Sequence, residues 1–467
     1  MKPFFKEIRN KLEASTQRVG DFVDEKIATD VHKIAITGLS RSGKSMLFTS
    51  LIIQLNERAQ VKEGGAYTLP LLKSLPMDSI VSFDILPILG EATFPISECI
   101  DALENQNWPA ATDQIFGFEL KVTSKQSATY KKLLGRSHQI TRFRFYDYPG
   151  EWLTDLPMLD LTFEQWCNQV TAQQTTEPQK SLAKSWLDFL ESYNFDLQPT
   201  EQSVAELVER YRQYLVNAKS AGISMLQPGG YLLEKTPYNW QKHGFVPLPA
   251  KITCDLKHPW MKLMSANYTA YQVTWLEQLK KQYFSDFDSQ VILVDVFEGL
   301  KHSRQHLMQL KESLSNLAGT FINGQTWFQK LINQPVMTKV AFVATKVDLI
   351  PVSQKMNLMS LLKDITSGAR SKFEQQDIQF DHFLVSSICV TKEDAKYPEK
   401  VIYLNAENES RFFTVEPLPL KMSDLEQGEK YITPNPKPSK AFKQQILASQ
   451  NIDRLLEYMM SGLKDDR

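Results

Sequence analysis

Cysteine is scarce in this chain. Of 467 residues only Cys99, Cys167, Cys254 and Cys389 carry a thiol, and no two of them stand at the spacing of a zinc or redox pair. That excludes a disulfide scaffold or a zinc module, suits reduced thiols in a cytoplasmic protein, and leaves all four as packing residues. An excess of either charge is missing too: 53 basic against 54 acidic side chains leave a net charge of -1. Nothing in that balance draws the chain to nucleic acid or an anionic membrane, and no nucleic-acid partner is expected. No apolar run approaches the length that spans a bilayer, and the opening MKPFFKEIRNKLEASTQRVGDF lacks the apolar core of a secretion signal. A soluble, cytoplasmic protein is expected, and no internal repeat or low-complexity tract is visible.

The opening stretch does set Phe4, Phe5, Ile8, Leu12, Val19, Phe22 and Val23 near one helical face. This predicts an amphipathic helix over residues 1–30 that docks on its own domain, with peripheral membrane contact as the less favoured alternative. The chain exceeds the size at which single cores stop growing, so more than one packed unit, or insertions into one parent fold, are expected.

Apolar periodicity predicts an α/β protein. VHKIAIT reads as a strand and SMLFTSLIIQLNERA as a helix, IFGFELKV and ITRFRFYDYPG as neighbouring antiparallel strands, and SQVILVDVF, TKVAFVATKVDLI and FDHFLVSSICV as further strands separated by helices. Helices between strands imply parallel βαβ units, hence a doubly wound, mostly parallel sheet. The first part of that domain is expected over 31–150 and the second over 265–399, with a mostly helical insertion at 151–264, a β-hairpin excursion at 400–435 and a closing helix at 436–467. Residues 60–115, rich in proline and glycine, read as an extended, ordered loop system. Trp152, Trp166 and Trp186 lie in helical patterns without basic interleaving and read as core. His302 and His306 read as a surface pair, and Asp295, ending a strand, as structural.

Between the first strand and helix stands GLSRSGKS, residues 38–45, which meets the G-x-x-x-x-G-K-[ST] pattern. In such a loop the backbone N–H groups around Ser40, Arg41, Ser42, Gly43 and Met46 close on phosphate oxygens, Lys44 reaches the outer phosphates, and the Ser45 hydroxyl can ligand magnesium. DYPG ends the strand that follows: Asp147 can hold the same ion through water and the Gly150 N–H can sense the terminal phosphate. Two strings compete for the base. TKVD, with Thr345, Lys346 and Asp348, offers a carboxylate to the N1 and N2 donors of guanine, which adenine lacks; TKED, ending in Asp394, matches equally by pattern. The first is favoured because it leaves Ser386, Ser387 and Ile388 of SSI as a backbone turn for the base carbonyl. A second magnesium hydroxyl is sought in the loops, with Thr112 best placed and Thr68 and Thr93 as alternatives.

The order GLSRSGKS, DYPG, TKVD, SSI resembles the translation-factor-like class of GTPases, and DYPGEWLTDLPML resembles the YcjX-like family of bacterial P-loop proteins, a family associated with stress responses. The resemblance implies binding of GTP and GDP with Mg2+, through Gly43, Lys44 and Ser45 on phosphates and magnesium, Asp147 and Gly150 as sensor, and Lys346 and Asp348 on the base. Two residues depart from the common pattern, Thr345 for asparagine and Glu151 for glutamine. Ionised glutamate only accepts hydrogen bonds and sits badly beside phosphate, so Glu151 is either the water-orienting group or a residue that pairs with a cation or opens the next helix. Arg41 is similar to the loop arginine of guanylate-binding proteins and atlastins, which implies a finger supplied in cis, against the alternative of a solvated or ion-paired arginine. The leading reading is a magnesium-dependent GTPase whose nucleotide state reorders loops and the insertion, which meets an unknown protein partner. A non-hydrolysing GTP sensor and an ATP-driven machine are the alternatives.

Overall fold

The computed structural model describes residues 30–38, 42–59, 62–63, 66–67, 80–110, 114–125, 138–223, 226–233, 238–281, 287–323, 338–375, 378–405, 409–426 and 429–461. Strand β1 (Asp30–Gly38) enters the glycine loop and helix α1 (Lys44–Ala59) leaves it. The expected loop system between 60 and 115 is corrected in part. It holds β2 (Ile80–Leu86) and α2 (Ile96–Glu104), whose Ile96, Cys99, Ile100 and Leu103 are buried. Their i, i+3, i+4, i+7 spacing outweighs the flanking proline and glycine signals. The expected antiparallel neighbours are β3 (Phe116–Lys125) and β4 (His138–Asp147).

A run of helices follows: α3 (Gly150–Asp155), α4 (Phe163–Gln174), α5 (Gln179–Ser192), α6 (Glu201–Ser220) and α7 (Pro259–Tyr271). Helices α4 and α6 start at capping boxes, Thr162 with Gln165 and Thr200 with Ser203, which satisfy otherwise orphaned N–H groups. The α/β alternation resumes with β5 (Ser289–Val294), α8 (Val296–His302), α9 (Arg304–Asn323), β6 (Lys339–Ala344), α10 (Lys355–Ile365), α11 (Ser367–Glu374) and β7 (Gln379–Leu384). The single helix expected from residue 299 onward is two, broken at the extended Ser303. Strands β8 (Thr391–Glu393), β9 (Lys400–Leu404) and β10 (Ser410–Thr414) form a small antiparallel sheet, and α12 (Phe442–Leu447) and α13 (Ile452–Met460) close the chain in place of one helix.

The main sheet runs in the order β7-β6-β5-β1-β4-β3-β2, with residues 92–93 as its eighth strand beside β3. From β7 to β4 neighbouring strands are parallel, and β3 and β2 add antiparallel pairs. This is a mixed α/β fold of the P-loop NTPase type. Every residue of β5 and β6 is buried, as strands covered on both faces must be. Ile34, Ile36, Val291, Leu293, Phe143 and Phe145 meet α1 and α13 on one face. Ala35, Tyr146, Ile292, Val294, Val340 and Phe342 share the other core with the helical segment, including Trp166, Tyr211, Phe245 and Tyr268.

Candidate functional site

The ends of the parallel strands supply the site. Gly38 closes β1 where an added Cβ would lie 2.4 Å from Ser42 Oγ and 2.7 Å from the Leu293 carbonyl oxygen, so only hydrogen fits. Gly43 has φ +90°, a conformation that glycine adopts without strain. Lys44 Nζ donates to the Gly38 carbonyl at 2.7 Å, which ties the start of α1 to the end of β1. Ser45 Oγ donates to the Ala110 carbonyl at 2.9 Å, which brings the segment just before Thr112 against the loop.

A cleft of about 510 Å³ opens beside this loop, within the size range of small-molecule sites. Ser42, Gly43, Lys44, Ser45 and Met46 line one part, Thr345, Lys346 and Asp348 a second, and Ser386, Ser387 and Ile388 a third, with Glu151 also at the wall. The three segments are braced against one another: Ser50 of α1 donates to the Ser387 carbonyl at 2.6 Å, and Gln54 donates to Ser50. Gly150 and Glu151 open α3, and with Ser42 they line a neighbouring cavity of about 70 Å³. Asp147 ends β4, fully buried, in register with Ile36 of β1. Ser40, Arg41, Thr112 and Thr68 lie outside the described residues. Thr93 is exposed on its short strand and does not line the cleft.

The two base-site strings part company in space. Asp348 is buried; Ser386 Oγ donates to its Oδ1 and the Val390 N–H to its Oδ2 at 2.9 Å. Each carboxylate oxygen keeps a further lone pair for a ligand. Burial raises the affinity of this carboxyl for its proton, and the bonds from Ser386 and Val390 oppose that. Asp394 instead accepts from the Lys396 and Tyr397 N–H groups in a turn outside the cleft, while Thr391 of the same string props the Asp348 carbonyl. Lys346 has φ +61°, and its ammonium bonds Asp295, whose other oxygen accepts from Glu298 N–H at the start of α8. Asp295 is thus both a cap and an anchor for Lys346.

Glu151 has its cation: Lys219 Nζ lies 2.7 Å from Oε1. Burial would push this carboxyl up, but Lys219 and Lys44 outweigh it and hold the group below its ordinary value. The rest of α3 is stitched to the helical segment. Thr154 Oγ1 donates to the Leu226 carbonyl at 3.0 Å, and Asp155 accepts from the N–H groups of Gly229 and Gly230 and from Tyr271 Oη at 2.6, 2.9 and 2.6 Å. The sequence reading missed Lys219 altogether. It also missed Trp108, Pro109, Ala110, Phe297, Lys301 and the run Pro434–Pro436 on the cleft wall. Of these, only the proline-rich TPNPKP before the closing helices carries a local signal.

The arrangement presents backbone donors, one ammonium and hard oxygen groups at one end and a paired acceptor at the other. No helix among the described residues is long and apolar enough to cross a membrane. A protein from Escherichia coli (strain K12) named Ras-like GTPase YcjX is 27% identical over 399 residues, covering 83% of this chain and 82% of its own length. A protein of the same name from Shewanella oneidensis is 27% identical over 382 residues, covering 77% of each chain. The model of the YcjX-like family, DUF463, matches residues 32–463, and the chain belongs to that family.

Proposed function

We propose that this protein binds guanine nucleotides and hydrolyses GTP to GDP and phosphate with magnesium, using the nucleotide to reorder the segments around the cleft. The observation that carries the reading is the convergence of Gly43, Lys44 and Ser45 with Lys346, Asp348 and Ser386 on one cleft. The printed names of the two relatives support it. Ser45 and Asp147 are hard oxygen donors of the kind magnesium takes, and the ion, when bound, would neutralise phosphate charge. Lys44 and the loop N–H groups bind the phosphates, and the Asp348 carboxylate accepts from guanine N1 and N2 while Ser386 and Val390 hold it still. In the reaction a water oxygen bonds to the γ phosphorus and the bond to the β–γ bridging oxygen breaks, its electron pair leaving with GDP. One water proton stays on the oxygen that joins the phosphate, and the other passes by way of the Glu151 carboxylate to an oxygen of the released phosphate. Arg41 as a finger in cis, Thr112 as a second magnesium ligand, a role in a stress response and a protein partner for the helical insertion remain part of this reading.

The test is nucleotide binding by calorimetry together with multiple-turnover phosphate release. GTP and GDP should bind about a hundredfold or more tighter than ATP, because a carboxylate left facing adenine loses its paired donors. Equal affinity for ATP would overturn the base assignment. Tight GTP binding without phosphate release would leave a nucleotide sensor and remove the enzyme.

A further inference from the structure

Lys219 stands in the last turn of α6, 68 residues along the chain from Glu151, yet the two side chains meet beside the glycine loop. Neither end of the contact is free to wander. Helix α6 is stopped by the Gly222 and Ile223 N–H groups, which donate to the Lys219 and Ala218 carbonyls at 3.0 Å. Gly222 has φ +87°, and a Cβ there would sit 2.3 Å from His302 Nε2, so the turn is pressed against α8. Glu151 rides on α3, held by the Thr154 and Asp155 bonds described above. The pair lines the 70 Å³ cavity with Gly150 and Ser42, and Ser42 Oγ, buried, has no hydrogen-bond partner among the described residues. Such a volume has room for ordered water, and an unpartnered hydroxyl beside a carboxylate gives water two polar contacts.

We infer that Lys219 is a positioning residue for GTP hydrolysis: it holds the Glu151 carboxylate at the wall of this cavity and cancels its charge beside the terminal phosphate, so that glutamate can serve where glutamine is commoner. The inference rests on the proposed GTPase reading. An unpaired carboxylate next to a phosphoryl group would repel it and collect a proton, losing its use as an acceptor. An ammonium 2.7 Å away removes both difficulties while leaving Oε2 for water. The other charged and titratable groups facing the pair are Lys44 from the loop, Asp155 on the same helix and, across the cavity, Asp295, Glu298 and His306. Lys219 thereby makes the helical segment part of the hydrolytic apparatus. As a stability device the contact is weak, because the lysine side chain is 31% exposed.

The experiment compares kcat, KM and the pH profile of phosphate release in wild type, Lys219→Met and Lys219→Arg, with GDP affinity and melting temperature measured on each. Lys219→Met should lower kcat by about tenfold or more with KM changed less than about threefold, and should move the acid limb of kcat to higher pH. Lys219→Arg should restore most of both. In a Glu151→Gln background Lys219→Met should cost no further turnover, a comparison that stays valid if Lys219→Met lowers stability. Wild-type kcat and pH profile in Lys219→Met would overturn the inference. So would a loss of kcat that keeps the wild-type acid limb, or an undiminished further loss in the Glu151→Gln background. If the wild type binds no GTP or releases no phosphate, the GTPase reading falls and takes this inference with it; if it turns over normally, the two stand apart.

Discussion

Ser45 Oγ donates to the carbonyl of Ala110, 65 residues further along the chain, at 2.9 Å. The hydroxyl that the loop pattern reserves for magnesium is therefore bonded to the segment just before Thr112. A cation taken by a lone pair of that hydroxyl would move the oxygen and, with it, the bond to Ala110. Trp108, two residues away, lines the cleft and is 43% exposed. Addition of magnesium and GTP should change intrinsic fluorescence more than GDP with chelator, and Trp108→Phe should remove most of the difference. A full-size signal in Trp108→Phe would place the moving segment elsewhere.

Lys44→Ala should cost GTP affinity about a hundredfold, since the one ammonium drawn into the glycine loop is lost and its bond to Gly38 with it. Calorimetry with wild type as reference is the check. Unchanged affinity would mean that the cleft does not read phosphate.

Asp348→Asn should lose guanine and gain xanthine nucleotide, because the amide presents a donor where the carboxylate presented an acceptor. Its oxygen can keep only one of the bonds from Ser386 and Val390, so a stability loss of about 1 kcal/mol is expected alongside. Asp394→Asn, in a turn outside the cleft, should leave nucleotide preference alone. Competitive displacement of a labelled guanine nucleotide by GDP and XDP separates the two residues.

Burial pushes the Asp155 carboxyl up to about 7, against the bonds from Tyr271, Gly229 and Gly230 that pull it down. A folded-state value above that of the unfolded chain means that the native state holds the extra proton between pH about 4 and about 7. Stability from this group is therefore greatest at the acid end and falls as pH rises through that window. His306 and His382, each lowered to about 4 by burial, contribute with the opposite sign between pH about 4 and about 6.5. The difference in melting temperature between wild type and Asp155→Asn isolates the carboxyl: it should shift against wild type as pH rises from 4.5 to 7.5. A difference independent of pH would show that Asp155 does not titrate there.

The strand, glycine loop and helix were legible because their signals are local: β-branched spacing before Gly38, glycines at 38 and 43, helical periodicity after Ser45. The strings TKVD and SSI were legible for the same reason, and their convergence follows from parallel strands ending on one side of a sheet. The break at Ser303 was hidden because Leu300, Leu307, Leu310, Leu314 and Leu317 continue one apolar rhythm across it. Strand β2 was hidden by the proline and glycine around it. Lys219 carries no local signal at all, and Asp295 signals its structural place at the end of a strand but not its bond to Lys346. Lys219 meets Glu151, and Asp295 meets Lys346, only when chain segments dozens of residues apart are packed together.

The shared core beneath the sheet bears on how this protein can be dissected. Trimming the chain to a minimal nucleotide-binding half, by joining the end of β4 to the start of β5, would remove Trp166, Tyr211, Phe245 and Tyr268, which share one continuous core with Ala35, Ile292 and Val294. The remnant would present an uncovered apolar face to water and would lose Gly150 and Glu151 along with the segment. Such a fragment is expected to aggregate, because the helical segment shares the hydrophobic interior of the nucleotide-binding fold and is not an appendage that can be cut away.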